Sequence, residues 1–224
     1  MMTIQVIQGP GTTKKFGVHR GVLCFHSDFF NRSLNGAFKE SGSYSYDVKD
    51  CKMETFQVFY DWINTGVQFR KLSSQQAIDL FVFADFYAVP VLKNRALEAF
   101  HRYAYDQWEI DFEVLQSVYL QTVKNSSLRK LAMDGVVETW SFQAIEENLS
   151  GVPEECLLDM LQACSLKRFV GGSETGGNSL DIGKYAWDNK VRTTFCDRYH
   201  DHNKAEYHGA CASVRSHPSM LVRC

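Results

Sequence analysis

The stretch Phe16-Gly17-Val18-His19-Arg20-Gly21-Val22-Leu23 decides how this chain folds. It runs on through Ser27-Asp28-Phe29-Phe30 and Gly36-Ala37-Phe38-Lys39-Glu40-Ser41 to Trp62-Ile63-Asn64-Thr65-Gly66. Phe16 and Val18 answer Ile4 and Val6 across Gly9-Pro10-Gly11. Alternating apolar residues on either side of a Gly/Pro turn predict a β-hairpin. Tyr44, Tyr46 and Val48 alternate with Ser45 and Asp47, which predicts a third strand. Two short helices are expected between the second and third strands. Val22, Leu23 and Phe25 populate the first. The second opens at Ser27, whose hydroxyl can accept from the free amides of a first turn, and places Phe29, Phe30 and Leu34 on one face.

Helical spacing takes over further along. Phe56, Phe59, Tyr60 and Ile63 recur at i, i+3, i+4 and i+7, and Gly66 follows as the stop. Ser73 and Gln76 have capping-box spacing ahead of an expected buried stripe of Ala77, Leu80, Phe81, Ala84 and Ala88. Pro90 suits the first turn of another helix, whose inward face is expected to be Leu92, Ala96, Ala99, Phe100 and Tyr103. After Asp106 the periodicity marks a helix at Leu115, Val118 and Tyr119 and a second at Leu128, Leu131 and Ala132. A third is marked at Leu157, Leu161 and Cys164, with Glu154 and Glu155 at its positive end.

Composition shifts at Gly171-Gly172, and the apolar period stops. The expected fold class is therefore α+β. A small three-stranded sheet covered by helices spans 1–105, and an all-helical extension spans 106–170. A Gly/Ser linker and a polar His/Cys-containing tail over 171–224 are expected to be disordered. The sequence carries no repeat at solenoid or propeller spacing.

The chain has 224 residues, a hydrophobic fraction of 45% and a formal charge of −2, which argues against a whole-chain nucleic-acid binder. No apolar run is long enough for a bilayer, and Met1-Met2-Thr3-Ile4-Gln5 does not read as a signal peptide. A cytoplasmic or nuclear location is the expectation, with the seven cysteines reduced. Cys24, Cys156 and Cys164 fall in apolar helical patterns and are expected to be buried thiols.

In order and spacing, the opening stretch resembles a BTB/POZ domain. The resemblance rests on the Phe16–Leu23 start, the Phe29-Phe30 pair, Phe38–Ser41, Tyr46-Asp47-Val48, Trp62–Gly66 and Phe83-Ala84-Asp85-Phe86-Tyr87-Ala88-Val89-Pro90. It covers residues 3 to 104. The later segments Ser117-Val118-Tyr119 and Ser127-Leu128-Arg129-Lys130-Leu131 are similar to short fungal BTB proteins with a helical C-terminal extension. The resemblance implies a non-enzymatic protein–protein interaction module, acting as substrate adaptor of a cullin-based ubiquitin ligase. The alternative is a transcriptional co-regulator or chromatin-associated BTB protein whose basic tail touches DNA. Partners are then other proteins, a cullin among them, with homo- or heterodimers open and neither membrane nor nucleic acid expected. The chain starts directly at the first strand, without the N-terminal helix and strand that many family members exchange in a swapped dimer.

By the same resemblance, Phe38, Lys39 and Glu40 form an apolar-x-Glu grip, with Val58, Tyr60 and Asp61 facing the scaffold from the following helix. An apolar anchor enters a groove while a carboxylate pairs with a rim charge. Separately, Cys196, His200, His202, His208 and Cys211 bring zinc-type ligands together in a non-standard spacing, and zinc in the tail is the one cofactor considered. No catalytic residue is assigned. His19 lacks a nucleophile and an orienting acid in a convincing frame, and Gly9–Lys14 lacks phosphate-loop spacing.

Overall fold

Alternation at the start of the chain becomes a hairpin. In the computed structural model, which describes residues 1–9, 11–36, 44–49, 51–66, 71–139, 151–169 and 179–201, β1 (Met2–Gly9) pairs antiparallel with β2 (Thr12–Val18), Ile4 lying opposite Phe16. Successive strand side chains point to opposite faces, so Met2, Ile4 and Val6 are buried together with Phe16 and Val18. β3 (Ser45–Lys49) joins the other edge of β1 in parallel, with Val48 beside Val6, giving the order β2-β1-β3. A parallel neighbour needs a crossover, and the crossover contains α1 (Arg20–His26) and α2 (Asp28–Asn35).

Local chemistry sets the helix ends. Ser27 Oγ accepts from the Phe30 N–H at 3.0 Å and donates to the Tyr87 carbonyl at 2.6 Å, so one buried hydroxyl starts α2 and fastens it to the far end of α4. α3 (Met53–Thr65) stops at Gly66, whose φ of 64° is the left-handed conformation that glycine adopts at least cost. α4 (Ser74–Phe86) begins with the full Ser73/Gln76 capping box, and α5 (Pro90–Gln107) has Pro90 in its first turn. Ala88 does not continue the α4 stripe. The helix ends at Phe86, and Ala88 takes a φ of 48° in the tight turn that lets the Val89 N–H reach the Ala84 carbonyl at 2.8 Å.

Aromatic rings fill the space between sheet and helices. Phe30 stacks on Tyr87 with centroids 5.2 Å apart, and Phe59 meets Phe83 at 5.1 Å. The same apolar core continues without a break into the extension through Leu97, Phe100, Ile110, Leu115, Val118 and Leu131. The extension is helical as expected: α6 (Phe112–Gln121), α7 (Ser127–Thr139) and α8 (Glu154–Phe169).

Two expectations beyond residue 105 change. On α8 the buried residues among those whose side chains are described are Cys156 and Met160, while Leu161 is 70% exposed and Cys164 is also exposed. The helix is apolar on nearly every side, so periodicity could not choose its inward face. Polar pins did: Glu155 takes the Arg129 guanidinium at 2.6 Å and Asp159 takes the Tyr119 hydroxyl at 2.7 Å. These two carboxylates sit four residues apart on one face and turn Cys156 and Met160 toward α6 and α7.

The second change lies in the expected linker and tail. Residues Ser179–Tyr199 form a helix, α9, that packs on α5 and α7 rather than a disordered tail. Trp187, Val191, Phe195 and Tyr199 recur every fourth residue and are all buried. A stripe one residue wide cannot bury itself, so it has meaning only against a preformed groove. Residues 171–178 and 202–224 lie outside the described residues.

Candidate protein-docking surface

α3 builds the candidate surface. Its inward residues Phe56, Phe59, Trp62 and Ile63 are buried. Gln57, Tyr60, Asp61 and Asn64, three and four residues apart, therefore fall on the outward side. Tyr60 is half-buried because its ring lies 5.1 Å from Phe16 on β2. Asp61 is exposed and accepts from Gln57 Nε2 at 2.8 Å. Gln57 in turn accepts from Lys14 Nζ at 2.8 Å, and that ammonium also lies 4.9 Å from the centre of the Phe16 ring. Val58, one turn before Asp61, is half-buried at the edge of the same face. Asp61 thus faces outward, with Val58 and Tyr60 at the two opposite edges of its side of the helix. Phe38, Lys39 and Glu40 lie outside the described residues.

Two large apolar side chains reach solvent that the sequence did not place at the surface. Phe25 on α1 and Phe86 at the end of α4 are each 68% exposed. Phe86 leans toward the half-buried Phe29 at 6.0 Å and against Tyr87 at 4.9 Å, so it edges the aromatic core. A signal was present: Phe25 stands two residues after buried Leu23, and Phe86 two after buried Ala84. That spacing on a helix puts a side chain away from the core.

The catalytic reading of the conspicuous polar residues finds no frame. His19 is exposed at the start of α1, where its side chain caps nothing. Both functions of the Ser27 hydroxyl are taken by Phe30 and Tyr87, so it has no proton to exchange with an imidazole. His26 is partly buried against Trp62, with ring centroids 4.9 Å apart, and burial lowers its pKa. The Cys51 thiol is pushed up to about 12 and Cys156 to about 11, chiefly by burial, which keeps both protonated and unreactive at neutral pH.

Of the proposed zinc ligands, Cys196 lies on α9 and His200 just beyond it, while His202, His208 and Cys211 lie outside the described residues. His200 packs edge-on against Phe195 at 5.0 Å, with Nε2 3.5 Å from Glu98 on α5. Among the described residues no group of three or more His, Cys, Asp or Glu is placed to hold a metal. No helix among them is long and apolar enough to cross a membrane.

A family model described as the BTB/POZ domain matches residues 2–103. No curated protein matches the chain. The matched range holds the sheet, α1 to α4 and most of α5, including the outward face of α3.

Proposed function

Residues 2–103 of this chain form a BTB/POZ domain, a protein–protein interaction module, and from that premise we propose that the protein is a non-enzymatic adaptor bringing a second protein to the cullin scaffold of a ubiquitin ligase. The observation that carries this reading is the outward face of α3, where an aromatic flank, Tyr60, stands beside an exposed carboxylate, Asp61, with Val58 one turn away. Tight interfaces concentrate their energy in a few aromatic or apolar anchors, while rim charges set orientation and encounter rate. The apolar-x-Glu order of Phe38-Lys39-Glu40 supplies a second anchor and a second carboxylate of the same kind. The helical extension shares the domain's core and adds to its surface.

The test is co-purification. Phe38→Ala combined with Glu40→Lys is expected to abolish recovery of a cullin from a native extract, and Asp61→Lys to reduce it about tenfold, the equivalent of ~1.4 kcal/mol. Undiminished recovery with the fold intact would remove the adaptor reading. Salt-sensitive retention on DNA would support the co-regulator alternative. That alternative draws on the basic tail, two of whose cations are engaged internally: Arg192 with Asp188 at 2.7 Å and Arg198 with Asp134 at 2.6 Å.

A further inference from the structure

Helix α9 is held at its two ends by different means. Near its C-terminal end two sets of polar contacts fasten it. Asn94 on α5 donates to the Asp201 carbonyl at 3.2 Å and accepts from the Asp201 N–H at 3.0 Å. Asp134 on α7 takes both the Arg198 guanidinium and the Tyr199 hydroxyl. Toward the N-terminal end the seat is built around His101 of α5. The Trp187 ring lies 4.8 Å from the imidazole and 5.7 Å from Trp108, and Phe195 closes the other side at 5.4 Å. Gly135 of α7 makes room for this arrangement: a Cβ there would lie 2.5 Å from Ile110 Cδ1 and 3.8 Å from Trp187.

Three buried polar atoms at this seat have no hydrogen-bond partner among the described residues: His101 Nε2, Trp187 Nε1 and Asp188 Oδ1. His101 Nε2 stands 3.8 Å from Asp188 Oδ1, beyond hydrogen-bonding reach, because the other carboxylate oxygen is drawn to Arg192 at 2.7 Å. Each buried polar atom left unmatched gives up the hydrogen bond it makes with water when uncovered. The aromatic contacts that close this half of α9 are therefore opposed by the groups they cover.

We propose that α9 as far as Phe195 is a releasable strap, closed over His101 at neutral pH and lifted from α5 in mild acid, while the Asn94 and Asp134 contacts keep its C-terminal end attached. Release would uncover the apolar seat of Trp187, formed by Trp108, Ile110 and the Gly135 face of α7.

The charges around His101 fix the sign. From α9 it faces Asp188, which favours the imidazolium, and Arg192, which opposes it; from α5, Arg102 opposes it as well. Glu98, one turn earlier on α5, is turned to Arg95 and His200, and Asp134 on α7 is occupied by Arg198 and Tyr199. Burial outweighs the help from Asp188 and lowers the His101 pKa from 6.5 to about 4 in the closed state. Uncovered, the imidazole returns toward its ordinary value. The closed strap is thus fully favoured above about pH 6.5 and weakens by up to tenfold per pH unit between that value and the closed-state pKa.

Hydrogen exchange of the full chain, normalised to intrinsic rates, tests this. Between pH 7.5 and 5.0 the opening constant of amides 184–195 is expected to rise about thirtyfold, while amides of β1 stay protected. His101→Gln is expected to abolish that rise. A pH-independent opening in the wild-type chain, or an undiminished rise in His101→Gln, overturns the proposal. Should the variant fail to fold, the imidazole resonance of the wild-type chain decides. His101 titrating near 6.5 while amides 184–195 remain protected overturns the strap, and a neutral imidazole at pH 5.5 in the closed state supports it.

Discussion

α8 and α9 both dock on α7, and they differ in how their buried polar groups are met. At the α6–α7–α8 junction Arg129 is buried yet sends hydrogen bonds to Glu155, to the Tyr119 and Thr122 carbonyls and to the Thr122 hydroxyl, with its guanidinium 4.6 Å from the centre of the Tyr119 ring. Tyr119 passes its own hydroxyl to Asp159. Around His101, between α5 and α9, the aromatic burial is just as deep, with Trp187 only 4% exposed, but His101 Nε2, Trp187 Nε1 and Asp188 Oδ1 find no hydrogen bond among the described residues. A fully matched polar network fixes one arrangement of its helices, whereas an unmatched one subtracts from the burial that closes it. The comparison teaches that depth of burial alone does not say how firmly an element is held.

Substitutions on either junction test this difference. Trp187→Ala is expected to cost about 4 kcal/mol of α9 docking, because it empties the seat beside Ile110 and Gly135. Exchange protection of 184–195 should vanish while the β1 amides change little; an equal loss in both would show that α9 is not an independent unit. Arg129→Met is expected to cost about 3 kcal/mol of global stability in urea denaturation, since it strands the Tyr119 and Thr122 carbonyls. Loss of the Glu155 pair adds little, because that carboxylate side chain is 57% exposed. A cost below about 1 kcal/mol would mean that the network orients α8 without stabilising it.

The pH response sharpens the contrast. The Tyr119 phenol and the Cys156 thiol, the latter at about 11, are raised chiefly by burial. A raised pKa on a group that is neutral when protonated contributes stability that is complete below the unfolded value. For Cys156 that value is near 9.0, and the contribution is lost as pH rises through the folded one. The α8 junction should therefore loosen in alkali and the α9 junction in acid, which exchange at pH 5.0, 7.5 and 9.5 would separate. Smallest of all, Tyr119→Phe is expected to cost about 1 kcal/mol, because it leaves the ring beside Arg129 and removes only the hydroxyl's bond to Asp159 and its contact with the Cys156 thiol.

Much of the BTB/POZ half was legible because its signals are local. Ile4/Val6 and Phe16/Val18 alternate across a turn, Ser27 and Ser73 sit at helix starts with the right partners three residues on, and Gly66 closes α3 in a left-handed conformation. The candidate face of α3 followed in part, since the period that buries Phe56, Phe59 and Ile63 also leaves Asp61 outside. Ala88 was misplaced because a non-glycine residue at positive φ leaves no mark in the pattern.

Sequence alone determined the order of strands and helices, the caps and the inward faces wherever apolar residues recur on one side only, because those properties depend on neighbours a few positions away. Tertiary structure alone decided which side of α8 is buried and that residues 179–199 form a docked helix. The first depended on Arg129 and Tyr119, reaching Glu155 and Asp159 from 26 and 40 residues away. The second needed the groove that α5 and α7 make together, and no window of sequence contains a groove.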